Sequence, residues 1–175
     1  MSELDSAETW LARIRERLDV PYAQVLACDP VNATMIRHWC EAHGITDPRY
    51  WAGDLAQGER LRAPASMLQV WLQPGPSGWR PEGSATTDAC EVIDWFAKAG
   101  FTGLVGVGVE QSFHRPLIEG EQLYSISTLT YLSELKTTGL GVGYFFTVRQ
   151  DVYCAQELVA QVSFRQLCYR PKVQG

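Results

Sequence analysis

A chain of 175 residues, 46% hydrophobic and 20% charged, is long enough for one core and too apolar to stay disordered. Fifteen basic against twenty acidic residues leave a net charge of −5, which argues against tracking of nucleic-acid phosphates and against an anionic membrane surface. A local site for an anionic small molecule stays compatible with that balance.

Met1 to Trp10 carries three carboxylates and no apolar core, unlike a secretory signal. The longest nearly unbroken apolar stretch, Phe101 to Val109, falls far short of the roughly 20 residues of a membrane helix. The expectation is a soluble, cytoplasmic protein. Its five cysteines (Cys28, Cys40, Cys90, Cys154, Cys168) are odd in number and scattered, without a paired spacing. They read as reduced, mostly buried thiols, with no metal site.

Asp5, Ser6 and Glu8 form a capping signal, and Trp10, Leu11, Ile14 and Leu18 follow at helical spacing until Pro21. Asn32 caps a second helix whose face is Met35, Ile36, Trp39, Cys40 and His43, with Gly44 placed for a left-handed end. Ala63 to Trp71 is a short apolar helix with Pro64 in its first turn. The proline- and glycine-rich stretch Gln73–Ser84 is a loop. Asp88 and Glu91 make another capping box for a helix carrying Val92, Ile93, Trp95 and Phe96, ended by Gly100.

From Phe101 the period changes. Leu104–Phe113, Gln122–Leu132, Val142–Tyr153 and Glu157–Tyr169 carry the β-branched and aromatic enrichment of strands. The turns between them, at Glu119-Gly120-Glu121, Lys136–Gly139 and Ala155-Gln156, are short and favour antiparallel neighbours. The spacing of Gly103, Gly106 and Gly108 lacks the strand–loop–helix context of a nucleotide loop, and small residues there suit close passage of a helix or a neighbouring chain. The pattern predicts an α+β fold with long antiparallel strands wrapped on a short apolar helix.

The segments Asn32–Tyr50, Ala63–Trp71 and Glu110–Leu123, in this order, resemble MaoC-like hot-dog proteins. The most specific piece is Phe113-His114-Arg115-Pro116-Leu117, followed by Gly120, Glu121 and Leu123. The likeness is greatest to the N-terminal, FAS-dehydratase-like hot dog of two-hot-dog enoyl-thioester hydratases. Within that group, the Asp29–Ala42 and Ala63–Trp71 runs are most similar to subunits of bacterial steroid side-chain enoyl-CoA hydratases. The resemblance implies a helical extension over residues 1–24 and a single hot-dog domain over 25–175, with a helical insertion at 73–100.

The family's catalytic signature, G-D-x-N-P-x-H, supplies an Asp and a His that move protons as water adds across an enoyl thioester. A backbone N–H at the tip of the central helix stabilises the thioester oxygen. Laid on Gly44–Tyr50, the Asp position is Ile45 and the His position is Tyr50. At the helix tip, Pro64-Ala65 stands where catalytic members have His-Gly. Isoleucine has no exchangeable proton, and a phenol with a pKa near 10 is a poor base at neutral pH.

The resemblance therefore implies a non-catalytic hot dog, with Ile45, Tyr50 and Ala65 as its degenerate positions. It would pair, as α2β2, with a smaller catalytic hot-dog subunit carrying the Asp and His. The substrate would be a bulky trans-2-enoyl-CoA, and no cofactor would be needed.

Trp39, Tyr50, Met67, Trp71, Trp95 and Phe96 are candidate walls of a steroid-sized pocket or, equally, core. Arg115 is a candidate contact for a CoA phosphate or the partner chain, or else a structural ion pair. Asp47 reads as a turn residue before Pro48, and His43 as a cation at a helix C-terminus. Arg37 and His38 face solvent or a partner. The insertion is expected to leave room for a large acyl chain. The alternatives are an acyl-binding or scaffolding homodimer and a hot-dog thioesterase using Glu41 or Asp47.

Overall fold

The computed structural model describes residues 6–52, 60–73, 75–85 and 87–172. Helix α1 spans Ala7–Glu16, with the Thr9 N–H donating to Ser6 Oγ at 3.3 Å. Asp5 of the predicted capping signal lies outside the described residues. Strand β1 (Pro21–Leu26) was not foreseen: Pro21 opens it, Ala23 has φ 50°, and a bulge between Tyr22 and Val25 breaks the alternation. Because β1 pairs with the main sheet, the boundary placed at 24/25 falls inside a strand.

Helix α2 (Ala33–His43) starts where the Met35 N–H donates to Asn32 Oδ1 at 3.0 Å and stops at Gly44, φ 63°. Only Ile36 and Cys40 of its predicted face are fully buried. A 3-10 turn, Pro48–Tyr50, and the short strand β2 (Arg62–Ala63) follow. A second 3-10 turn, Ala65–Met67, runs into α3 (Leu68–Leu72), which buries Leu68, Trp71 and Leu72. Helix α4 spans Glu91–Lys98 and is followed by Gly100 at φ 87°. Its Asp88 carboxylate accepts the Cys90 N–H at 2.8 Å, but Glu91 pairs instead with Arg17 at 2.9 Å, so the capping box is half formed.

The remaining strands are β3 (Gly103–Phe113), β4 (Leu117–Ile118), β5 (Leu123–Leu132), β6 (Lys136–Thr137), β7 (Gly141–Cys154) and β8 (Glu157–Pro171). The main sheet has the order β1-β5-β7-β8-β3, with β6 on β7, and every pairing is antiparallel. The short turns make β5, β7 and β8 neighbours as expected. Glu119-Gly120-Glu121 does not do the same for β3 and β5: β4 turns aside to pair with β2, and β3 instead lies beside β8 at the sheet edge.

The sheet curls around α3 as a hot dog, and its inner face carries two apolar clusters. Under α3, Met67, Leu68 and Trp71 pack with Ile36, Cys40, Leu123, Val152 and Val162. At the other end, Val92 and Phe96 of α4 pack with Ile14, Leu129, Tyr144 and Phe146. Helix α4 thus fills one half of the face rather than leaving all of it open. All five cysteines are free; Cys40 and Cys168 are buried, Cys28 and Cys154 half-buried and Cys90 exposed, fewer buried than expected. Among the described residues no helix is long and apolar enough to cross a membrane, and no cluster suits a metal ion.

Candidate functional site

Tyr50 and Ala65, two of the three positions aligned with the motif, meet in one cleft. Asp47 accepts the Arg49 N–H at 3.0 Å, which opens the 3-10 turn that delivers Tyr50. Ala65 sits at the first turn leading into α3. Tyr50 and Ala65 line a cleft of about 370 Å³ with Arg49, Arg62, Phe113, His114 and Arg115. Ile45 lies elsewhere: it packs against the α3 cluster, and its carbonyl accepts the Trp51 indole N–H at 2.8 Å. Among the described lining residues, His114 is the only imidazole and none is a carboxylate.

The cations of this cleft differ in their engagement. Arg115 binds Glu121 Oε1 at 2.7 Å and Glu157 Oε2 at 2.9 Å, tying the β4–β5 turn to the start of β8. Burial works against its charge, but the hydrogen bonds to Glu157 and Glu121 outweigh that and hold the guanidinium above its ordinary range. Arg49 is taken by Asp47. Arg62 has no ionic partner among the described residues. The Arg49 hydrogen bonds hold the Asp47 carboxyl below the usual carboxylate range, which makes it a weak base, and it does not line the cleft. Glu41 is exposed on α2.

The candidate pocket-wall residues divide. Met67 and Phe96 are fully buried core residues, and Phe96 lies 5.1 Å from the ring of Phe146. Trp95 turns toward α1, with Trp10 at 6.4 Å and the Arg17 guanidinium at 5.2 Å. Trp39 meets His43 at 4.3 Å with the rings tilted by 53°, which gives His43 an aromatic contact besides its place at the helix end. Trp71 is buried in the α3 cluster and also borders a small cavity with Met35 and Val70.

A second cavity, of about 380 Å³, lies between α3 and α4 over the middle of the sheet. Gln69 and Leu72 of α3, Ala89 and Ile93 beside and on α4, and Ser125, Val148, Gln150, Phe164 and Gln166 of the sheet enclose it. Ala65 and Gln69 are four residues apart, one helical turn or about 6 Å, so cleft and cavity adjoin the same helical segment. Sequence reasoning missed this cavity. Its signal is the polar interruption at Ser125, Gln150 and Gln166 of otherwise apolar inward rows.

Among the described residues, one edge of the sheet is bare. β3 pairs with β8 on one side only, and its Leu104, Val107, Val109 and Phe113 are exposed, Val109 to 62%. An unpaired, apolar edge strand is a template for another strand.

Residues 21–162 match the family described as FAS1-like, dehydratase domain region. Over 151 residues, 82% of this chain and 46% of the relative, the sequence is 36% identical to the probable enoyl-CoA hydratase alpha subunit of Thermomonospora curvata. Over 149 residues, 83% and 47% of the two chains, it is 36% identical to the 3-oxo-4,17-pregnadiene-20-carboxyl-CoA hydratase alpha subunit of Mycobacterium tuberculosis. A chain of the crystal structure of the ChsH1-ChsH2 complex from Mycobacterium tuberculosis superposes with a TM-score of 0.79 at 33% identity, covering 96% of this chain and 93% of that one. The chain spans about half the length of the curated relatives it matches. It belongs to the FAS1-like dehydratase family of MaoC-type hot-dog proteins.

Proposed function

We propose that this chain is the non-catalytic subunit of a heteromeric enoyl-CoA hydratase acting on a bulky trans-2-enoyl-CoA, as in steroid side-chain degradation. The observation that supports the reading is the cleft itself: Tyr50 and Ala65, aligned with the motif's His and the helix tip, line it together, and Ile45, aligned with the Asp, packs away from it. Water addition to the β-carbon needs a base for the attacking water and an acid for the α-carbon. A smaller hot-dog partner supplies both, through its Asp and His.

The bare edge of β3 supports continuation of the sheet into that partner, with two copies of each chain in the assembly. The cavity between α3 and α4 supports a pocket for the acyl group. Arg62, the cleft cation without an ionic partner, is a better candidate for a CoA phosphate than Arg115, which two glutamates hold. The reaction needs no metal or redox group, because the thioester itself activates the double bond.

The test is co-expression with a small hot-dog protein carrying an intact G-D-x-N-P-x-H motif, followed by a hydration assay on trans-2-enoyl-CoA thioesters. The expected result is turnover by the complex and none by this chain alone. Turnover by the single chain overturns the reading. Val109→Lys should abolish co-purification, since a charge on an edge strand opposes strand addition. A scaffolding homodimer would instead keep one mass, by light scattering, with or without the second protein.

A further inference from the structure

The inner face of the sheet is apolar at both ends and polar in the middle. Leu123 and Val152 lie under α3, and Leu129 and Phe146 under α4. Between them, Ser125 and Ser127 of β5, Gln150 of β7 and Gln166 of β8 form a belt, with Ser127 directly opposite Gln150 in the register. Polar side chains on a buried face cost stability unless they find partners. Here the partners are incomplete. Gln69 Nε2 donates to Gln150 Oε1 at 3.3 Å, which leaves the Gln150 amide N–H groups available. The Gln166 side chain makes no hydrogen bond with any described residue, and the fully buried Ser127 Oγ has none either.

Ser125, Gln150 and Gln166 of this belt line a cavity of ligand size, about 380 Å³. Among the described lining residues the one cation is Arg80, whose Nη2 is tied to Asp88 at 2.9 Å while its buried Nη1 has no partner; the ion pair balances its charge, and the lining offers donors from both the amides and this guanidinium. Apolar walls from Val148, Phe164 and Leu72 close the remaining sides. We propose that this cavity recognises a carbonyl or hydroxyl oxygen at the end of the acyl group remote from the thioester, with Gln150 and Gln166 as the residues that set this preference. A straight, unsubstituted acyl chain would fill the space but leave the amides unpaired, and a site built to hydrogen-bond an oxygen discriminates against the analogue lacking it. The proposal rests on the hydratase reading only for the identity of the thioester end.

The experiment measures binding rather than turnover. A fused-ring carboxylic acid bearing a ketone on the ring farthest from its carboxylate, and the same acid without the ketone, are titrated calorimetrically into the full chain co-purified with its partner. The expected result is about tenfold tighter binding of the ketone, the size of one well-made buried hydrogen bond.

Gln150→Leu combined with Gln166→Leu should remove that preference and leave the affinity for the deoxygenated acid unchanged or higher. If the double variant fails to fold, the wild-type comparison and Gln166→Met alone carry the test. Equal affinity for both acids, binding of neither, or a preference that survives folded substitution at both glutamines overturns the proposal. Ketone preference without any hydratase turnover sinks the proposed function and leaves this inference standing. Hydration of bulky enoyl-CoA without ketone preference does the reverse.

Discussion

The two ends of the sheet's inner face are filled by different helices. At one end α3, following a 3-10 turn, inserts Met67, Leu68 and Trp71 in the position of a hot-dog central helix, braced by Ile36 and Cys40 of α2. At the other, α4 packs against α1 and covers Tyr144 and Phe146 with Val92 and Phe96. A single long helix would have covered both ends and the middle together. Two short ones leave the middle to a cavity with polar walls. The difference shows how the middle of the face becomes a site: α3 stops after Leu72, α4 covers the far end, and the cavity lies between them.

The comparison breaks if the α4 end is not true core. Phe96 is fully buried, with Phe101, Tyr144 and Phe146 rings 5.1 to 6.2 Å away, and Phe96→Ala should cost about 3–5 kcal/mol in denaturant unfolding. Met67→Ala, at the α3 end, should cost about 2–5 kcal/mol. Because the two residues belong to separate clusters, the double variant should equal the sum to within about 0.5 kcal/mol. A large coupling would show that the two ends act as one core, and a neutral Phe96→Ala would show that α4 is only draped on the sheet.

A smaller effect sharpens the α4 side. Arg17 joins α1 to α4 through Glu91 at 2.9 Å and lies 5.2 Å from the rings of Tyr22 and Trp95. Arg17→Ala should cost about 1 kcal/mol, the sum expected of one partly buried ion pair and its ring contacts. Arg17→Lys should recover only part of this, because an ammonium lacks the planar face that stacks on both rings. Thermal unfolding of the two variants measures the ranking; equal stability of Ala and Lys variants would leave the α1–α4 contact to Ile14 and Trp10 alone.

The parts of this architecture readable from the sequence are those set by local chemistry. Asn32 and Gly44 mark the ends of α2 through one cap and one left-handed residue, and the four long strands lie within one or two residues of their expected limits. What was not legible depends on register or on distant pairing. β1 hides behind a proline and a bulge, and the place of β3 beside β8 follows from β4 pairing with β2. In the site, Tyr50 and Ala65 line one cleft, while Ile45 turns inward. Gln150 and Gln166 sit on different strands and meet around one cavity only because β7 and β8 align Phe146 with Gln166 and Gln150 with Val162.

Each end buries one thiol, Cys40 under α3 and Cys168 under α4, and burial raises the pKa of both. Cys168 sits in the α4 cluster, almost fully buried, and burial pushes its pKa up to about 12. A thiol whose pKa is raised in the folded state contributes stability that is fully present below its unfolded pKa, near 8.5, and is lost as pH rises toward 12. Cys168→Ala should therefore be less stable than the wild type near neutral pH, because it removes buried volume. The gap between them should narrow steadily above about pH 8.5, since the variant lacks the proton that the wild-type core holds. Other alkaline titrations act on both proteins alike and cancel in the difference. Urea midpoints measured across pH 7 to 10 for the pair supply the test. A gap independent of pH would mean that water reaches Cys168, and with it the end of the sheet that α4 is taken to seal.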